Sequence, residues 1–273
     1  MAGEAEPTPP EGGRHWGEWL AELLGTALLF GVGFTVVTVL LSPRSSIARE
    51  VAPVRFLLVG MNFGLLSGLI AVSPLGRRSG AHLNPAVTLA FWLRGHVHRH
   101  DLAGYLVAQF AGALLGTAAF AAALGPWATS IHHARTSPAP VGTATGVAIE
   151  AALTFGLMTT VFVSLGVPRL VHWTPVLVGI ALTGLIWVGS PPTGASLNPA
   201  RSLAPALIDS HLADLWVYFV GPALGASAAT LLAMACGWGA LTAKLFHDPR
   251  YRSTMGCAAM LTTVSRPQDS TSS

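Results

Sequence analysis

An all-α membrane protein is predicted, with six transmembrane helices and two re-entrant half-helices arranged as an inverted repeat. Three observations carry that prediction: a shortage of charge, six separate apolar stretches, and a short motif that occurs twice at matched places. The 273 residues are 52% hydrophobic and 10% charged, with a mean hydropathy of +0.57. A soluble domain carries about 25% charged residues, so the chain is read as integral to a membrane.

A helical span needs ~20 mainly apolar residues. Stretches of that kind run over 16–41, 51–72, 101–124, 143–165, 173–189 and 213–240. Their length and separation speak for helices and against a β-barrel. They are rich in Gly, Ala, Ser and Thr, which lets helices approach closely in lipid. Ahead of them, "MAGEAEPTPPEGG" is acidic and Pro-rich and lacks the cationic start of a cleaved signal peptide. It and the final "SRPQDSTSS" read as disordered. The organisation predicted is a tail over 1–15, a membrane domain over 16–240 and a cytoplasmic C-terminal tail over 241–273.

The membrane domain repeats, approximately 16–125 against 143–240. The first span carries "ELLGT" from Glu22 to Thr26, and the fourth "EAALT" from Glu150 to Thr154. In each, Thr follows Glu by one helical turn. "FAGALLG" (110–116) in the third span aligns without a gap on "FVGPALG" (219–225) in the sixth. An Asn-Pro-Ala segment lies between the second and third spans of each half. Three crossings per half turn the second half upside down, the inverted-repeat plan of many transport proteins.

Both Asn-Pro-Ala segments read as helix starts. Proline suits the first turn, where its missing N–H is no loss. It keeps the residue before it out of the helix, and asparagine there is a good cap. "NPAVTLAFWL" (84–93) and "NPARSLAPAL" (198–207) would each be about 15 Å long, half a bilayer. Irregular backbone at that depth must be buried in protein or line a watery cavity. Ala86 and Ala200 are small enough for the two starts to touch, and Asn84 and Asn198 would offer amide donors to the lumen. The helix dipoles would place positive potential there and disfavour cations. Arg201 is expensive in hydrocarbon and is expected to face the same cavity.

Charge gives an orientation. With both termini cytoplasmic, ten of the fifteen Lys and Arg lie inside and four outside, with Arg201 at membrane depth. The net charge of +3 is assigned to those loops, not to a nucleic-acid partner. Cys236 and Cys257 make neither a disulfide framework nor a metal pattern. His96, His98 and His100 read as a solvated basic loop. No constellation of nucleophile, base or metal ligands points to an enzyme.

The chain resembles the aquaporin, or major intrinsic protein, family over roughly 16–240. The resemblance rests on "AELLGT" (21–26), "SGAHLNPAVT" (79–88), "YLVAQFAGALLG" (105–116), "EAALTF" (150–155), "TGASLNPARSLAPA" (193–206) and "WVYFVGPALGA" (216–226). It implies one pore per subunit, a homotetramer and a plasma-membrane location, with no cofactor and no metal. Asn84, Pro85, Ala86, Asn198, Pro199 and Ala200 would form the pore centre. Phe63, Ile186, Ala195 and Arg201 would form the selectivity filter. Glu22, Glu150, His82 and Gln109 would support the re-entrant loops.

A strict water channel of that family usually has His where this chain has Ile186. Phe63 and Ile186 would make an apolar wall opposite Arg201, as in the nodulin-26-like branch, and such a wall suits glycerol-sized neutral solutes. Ser202, Ala206 and the Tyr218–Phe219 pair point instead to a water-only member. The expectation is passage of water and of small uncharged solutes. A water-only channel and a coupled transporter using Glu22 or Glu150 stay open as alternatives.

Overall fold

The computed structural model describes residues 14–238 and 243–246. Most of the predicted tails, with Cys257, lie outside the described residues. Ten α-helices run in the order α1 (Trp16–Leu41), α2 (Ala52–Val72), α3 (Pro74–Ser79), α4 (Pro85–Leu93), α5 (Arg99–Leu124), α6 (Pro126–Thr129), α7 (Thr143–Gly166), α8 (Thr174–Thr193), α9 (Pro199–Ile208) and α10 (Val217–Ala235). Six of them are long and apolar enough to cross a membrane: α1, α2, α5, α7, α8 and α10. The helices α4 and α9 are the two short ones that start at the proline of Asn-Pro-Ala, with the asparagine as cap.

Local chemistry sets the boundaries. The chain breaks at Ser73, which is extended and caps α3 through its hydroxyl. The helix α4 stops at Gly95, whose φ of +76° lets the His96 N–H reach back to the Phe91 carbonyl, 3.0 Å away. That turn folds His96 inward, where it is buried, so the expected solvated loop of three histidines does not form. The helix α8 runs on to Thr193 through Pro191 and Pro192, past the predicted end at 189. Proline costs a helix its N–H but keeps a helical φ, and Trp187 and Val188, four residues earlier, are exposed. The helix α10 ends at Ala235, short of the predicted 240, because Gly237 takes φ +65° and Trp238 N–H closes on the Ala233 carbonyl.

The apolar periodicity of α1 and α7 builds the core. Glu22, Thr26, Phe30 and Phe34 follow one another at four-residue steps and all are buried; Glu150, Thr154, Met158 and Phe162 repeat the pattern. The helix α1 packs on α5 and α7 on α10, and α2 meets α8 across the two halves. Glycines allow close approaches in both of the first two pairs. A Cβ on Gly112 would collide with the Leu23 carbonyl, and one on Gly225 with the Ala151 carbonyl.

Those two contacts correct the internal alignment. Leu23 and Ala151 each follow the paired glutamates, so Gly112 matches Gly225, and Tyr105 matches Tyr218. The ungapped match of 110–116 to 219–225 is therefore one helical turn out of register. "YLVAQFAG" (105–112) lies over "YFVGPALG" (218–225). Small residues at four-residue spacing on both helices made the wrong turn look right.

Candidate functional site

Each glutamate gathers the backbone of a re-entrant loop. Glu22 Oε1 accepts from the Ser79 hydroxyl at 2.7 Å and the His82 N–H at 3.0 Å. Its Oε2 accepts from the Leu83 N–H and the Gln109 amide, both at 2.7 Å. Glu150 Oε1 accepts from the Thr193 hydroxyl at 2.7 Å and the Ser196 N–H at 2.9 Å, and Oε2 from the Leu197 N–H at 2.8 Å. Both side chains are fully buried. The loops reach them by alternating into left-handed backbone: φ is +55° at Ala81, +51° at Leu83, +46° at Ala195 and +54° at Leu197. Such residues cost about 1 kcal/mol or more each, and the concave turn of N–H groups around a carboxylate offsets it.

The two loops then bond to each other. Asn84 Nδ2 donates to the Leu197 carbonyl and Asn198 Nδ2 to the Leu83 carbonyl, each at 2.9 Å. Asn84 Oδ1 caps α4 by accepting from the Ala86 N–H at 2.8 Å, and Asn198 Oδ1 caps α9 through the Ala200 N–H at 2.9 Å. Pro85 and Pro199 begin the helices, and Ala86 and Ala200 are buried behind them. An amide nitrogen carries two hydrogens, so each asparagine keeps one N–H beyond its carbonyl bond. Both asparagines line one cavity, together with residues of both halves.

Phe63, Ile186, Ala195 and Arg201 all line that cavity. The Arg201 guanidinium donates through Nη1 to the Ala134 carbonyl at 2.7 Å, and its Cζ lies 5.2 Å from the centre of the Phe34 ring. Phe34 in turn meets Phe63 edge-on, with ring centres 6.1 Å apart. Ala134 sits in a turn where His132, His133 and Ala134 all have left-handed φ, +50°, +53° and +62°. Asp209, at the end of α9, holds that turn: Arg135 Nε donates to it at 2.8 Å, and His133 Nδ1 lies 3.2 Å away. Burial pushes the Asp209 carboxyl up. The bonds from His133 and Arg135, and the charges of Arg135 and His132, outweigh it and hold the group below the usual carboxylate range. Ser202 lies behind Arg201, bonded to Ser196 at 2.7 Å and to Thr136 at 2.8 Å.

His82 stacks on Phe91 with ring centres 4.7 Å apart, and Gln109 bridges Glu22 and the Thr88 hydroxyl. Phe34 and Ala134 went unpredicted. Phe34 could have been found from the four-residue stripe that starts at Glu22. Ala134 contributes a backbone carbonyl, which no residue type announces. Cys236 is exposed at the end of α10 and is not among the residues lining the cavity.

Comparison with known proteins agrees with this geometry. The Major intrinsic protein family profile matches residues 12–233. A probable aquaporin of Archaeoglobus fulgidus is 36% identical over 230 residues, covering 78% of this chain and 93% of its own. A glycerol uptake facilitator-like protein of Lactiplantibacillus plantarum is 34% identical over 226 residues, covering 81% and 98%. The solved aquaglyceroporin of Plasmodium falciparum shares the fold, with a TM-score of 0.65 at 20% identity over 80% of this chain and 95% of that one. Six spans, two opposed half-helices and a shared cavity match that kinship, and the chain belongs to the major intrinsic protein family.

Proposed function

We propose that the cavity conducts water and small uncharged solutes of glycerol size, passively, and rejects ions and protons. The observation that carries this reading is a cavity lined by both Asn84 and Asn198, each with one amide hydrogen left to donate. A passing oxygen would meet two donors and the positive ends of α4 and α9 at one point. A cation or an excess proton finds no counter-charge there.

In this reading Arg201, Phe63, Ile186 and Ala195 are the selectivity filter. Arg201 and the rest of the wall divide the work: the guanidinium bonds hydroxyls, while Phe63 and Ile186 lie against carbons. Glu22, Glu150, His82 and Gln109 hold the loops and do not relay protons. The channel domain is 16–240. It works as a homotetramer in the plasma membrane with both termini in the cytoplasm, an orientation supported by the distribution of Lys and Arg. A probable aquaporin and a glycerol uptake facilitator-like protein are both among its relatives. Ser202 and Ala206 favour a second reading, a water-only pore.

Proteoliposomes in a glycerol gradient distinguish the two. Wild type shrinks and then recovers as glycerol enters, and Ile186→His lowers glycerol flux several-fold more than water flux. The substitution removes apolar wall from glycerol carbons and gives water a further partner. A wild type that conducts water and no glycerol leaves the water-only pore as the function.

A further inference from the structure

Residues 243–246 belong by sequence to the C-terminal tail, yet they pack against the first re-entrant loop. His82 Nε2 donates to the Ala243 carbonyl at 2.7 Å, and the Leu245 N–H donates to the Gly80 carbonyl at 3.0 Å. Lys244 Nζ donates to the Arg77 carbonyl at 2.9 Å, and the Arg77 guanidinium lies 5.3 Å from the centre of the Phe246 ring. Gly80 has φ +96°, and a Cβ there would meet the Ala243 oxygen at 2.9 Å. Lys244 is 1% exposed. A buried ammonium must be paired or hydrogen-bonded, so this contact is specific and not a loose end resting on a surface.

Leu245 is buried too, and it lines the same cavity as Leu29, His82, Asn84 and Val87. None of the four filter positions comes from this part of the chain. We propose that Leu245 is a wall residue of the permeation path and sets flux at the mouth opposite Arg201. Residues 243–246 pack there, clipped to Arg77, Gly80 and His82. An apolar side chain at a narrow passage offers water no hydrogen bond and can obstruct by size or by dewetting. The two mouths then work by opposite chemistry, a guanidinium at one and an isobutyl group at the other. This inference rests on the cavity being the pore.

The test uses the full-length protein in proteoliposomes, with water flux followed by stopped-flow light scattering. Leu245→Trp is expected to lower flux several-fold at matched protein density. Leu245→Cys, in a Cys236→Ser/Cys257→Ser background, is expected to conduct until a benzyl methanethiosulfonate labels it after folding. Flux then falls several-fold and returns with dithiothreitol. A conducting protein whose Leu245→Cys form labels fully, by mass spectrometry, with flux unchanged overturns the role of the tail alone. A wild type that conducts no water overturns the pore reading, and this inference with it.

Discussion

Glu22 and Glu150 receive matching bonds from the loop beside each: a hydroxyl and two consecutive backbone N–H groups. Tyr105 and Tyr218 repeat the match by donating to the Ser79 and Thr193 carbonyls. Beyond that shell the halves part. The first half adds Gln109 to its glutamate; the matched place in α10 is Pro222, which has no donor. His82 has Ser196 as its counterpart and Val87 has Arg201. One half thus spends its variable positions on anchoring the tail, and the other on a guanidinium held by a strained turn. The symmetric shell fixes the backbone, and the asymmetric positions give the two ends of the cavity their different chemistry.

The largest test of that division lies at the centre. Asn84→Asp and Asn198→Asp should each abolish water flux, a loss of about tenfold or more, because a carboxylate cannot donate and brings a fixed negative charge into the pore. Stopped-flow measurements at matched protein density would show equal losses if the centre is symmetric. Full flux in either variant would remove that asparagine from the lumen.

The glutamate shell should respond less evenly. In Glu22→Gln the new amide faces two donors whichever way it turns; in Glu150→Gln it can turn toward Leu197, the one donor on that side. Buried groups left without partners cost about 1–3 kcal/mol each. Glu22→Gln should therefore lower the thermal midpoint in detergent further than Glu150→Gln, by roughly a few degrees. The opposite order would show that Gln109 adjusts more freely than its buried place implies.

The smallest effect belongs to the turn at 132–134. Asp209 is held below the usual carboxylate range by its partners. A group with a depressed folded-state pKa adds stability above its unfolded value and loses it as pH falls through the folded one. The part of the glycerol-to-water flux ratio that depends on Asp209 should thus be intact at neutral pH and be lost only below the ordinary Asp value of about 3.9. Asp209→Asn should shift that ratio modestly at neutral pH and flatten the acid drift. An unchanged ratio in that variant would mean that the strained turn holds Ala134 against Arg201 without help.

What was legible in the sequence was chemistry that looks wrong in lipid. Glu22, Glu150, Arg201 and the doubled Asn-Pro-Ala are conspicuous among apolar neighbours, and each sits in the glutamate shell or along the cavity. Span ends were legible except where proline continued α8, where glycine shortened α10 and where α10 begins at Val217, four residues past the predicted 213. Hidden features were those carried by backbone. Nothing in "HHAR" signals three left-handed residues, and Leu83 and Leu197 are bulky residues uncommon at positive φ. The loops hold these two leucines through their N–H bonds to Glu22 and Glu150. The register of the third span against the sixth was misread because Gly and Ala recur at one-turn spacing. Leu245 was hidden by its address, since a tail has no periodicity to place it.

The crossed bonds at the centre also bear on assembly. The amide of Asn84 finds its carbonyl 113 residues further along the chain, at Leu197, and the Leu83 carbonyl waits for Asn198. A ribosome delivers the first half alone. At that stage α4 has its cap and Glu22 has its loop, but two polar groups at the tip have no counterpart. Bringing them to membrane depth unpaired is costly, so α4 can settle fully only when α9 arrives from the other side. The contact is isologous in form, the kind two copies of one subunit would make about a twofold axis. The polypeptide therefore completes itself as a dimer would, by docking two inverted halves, and the joint between them lies on the cavity proposed as the pore.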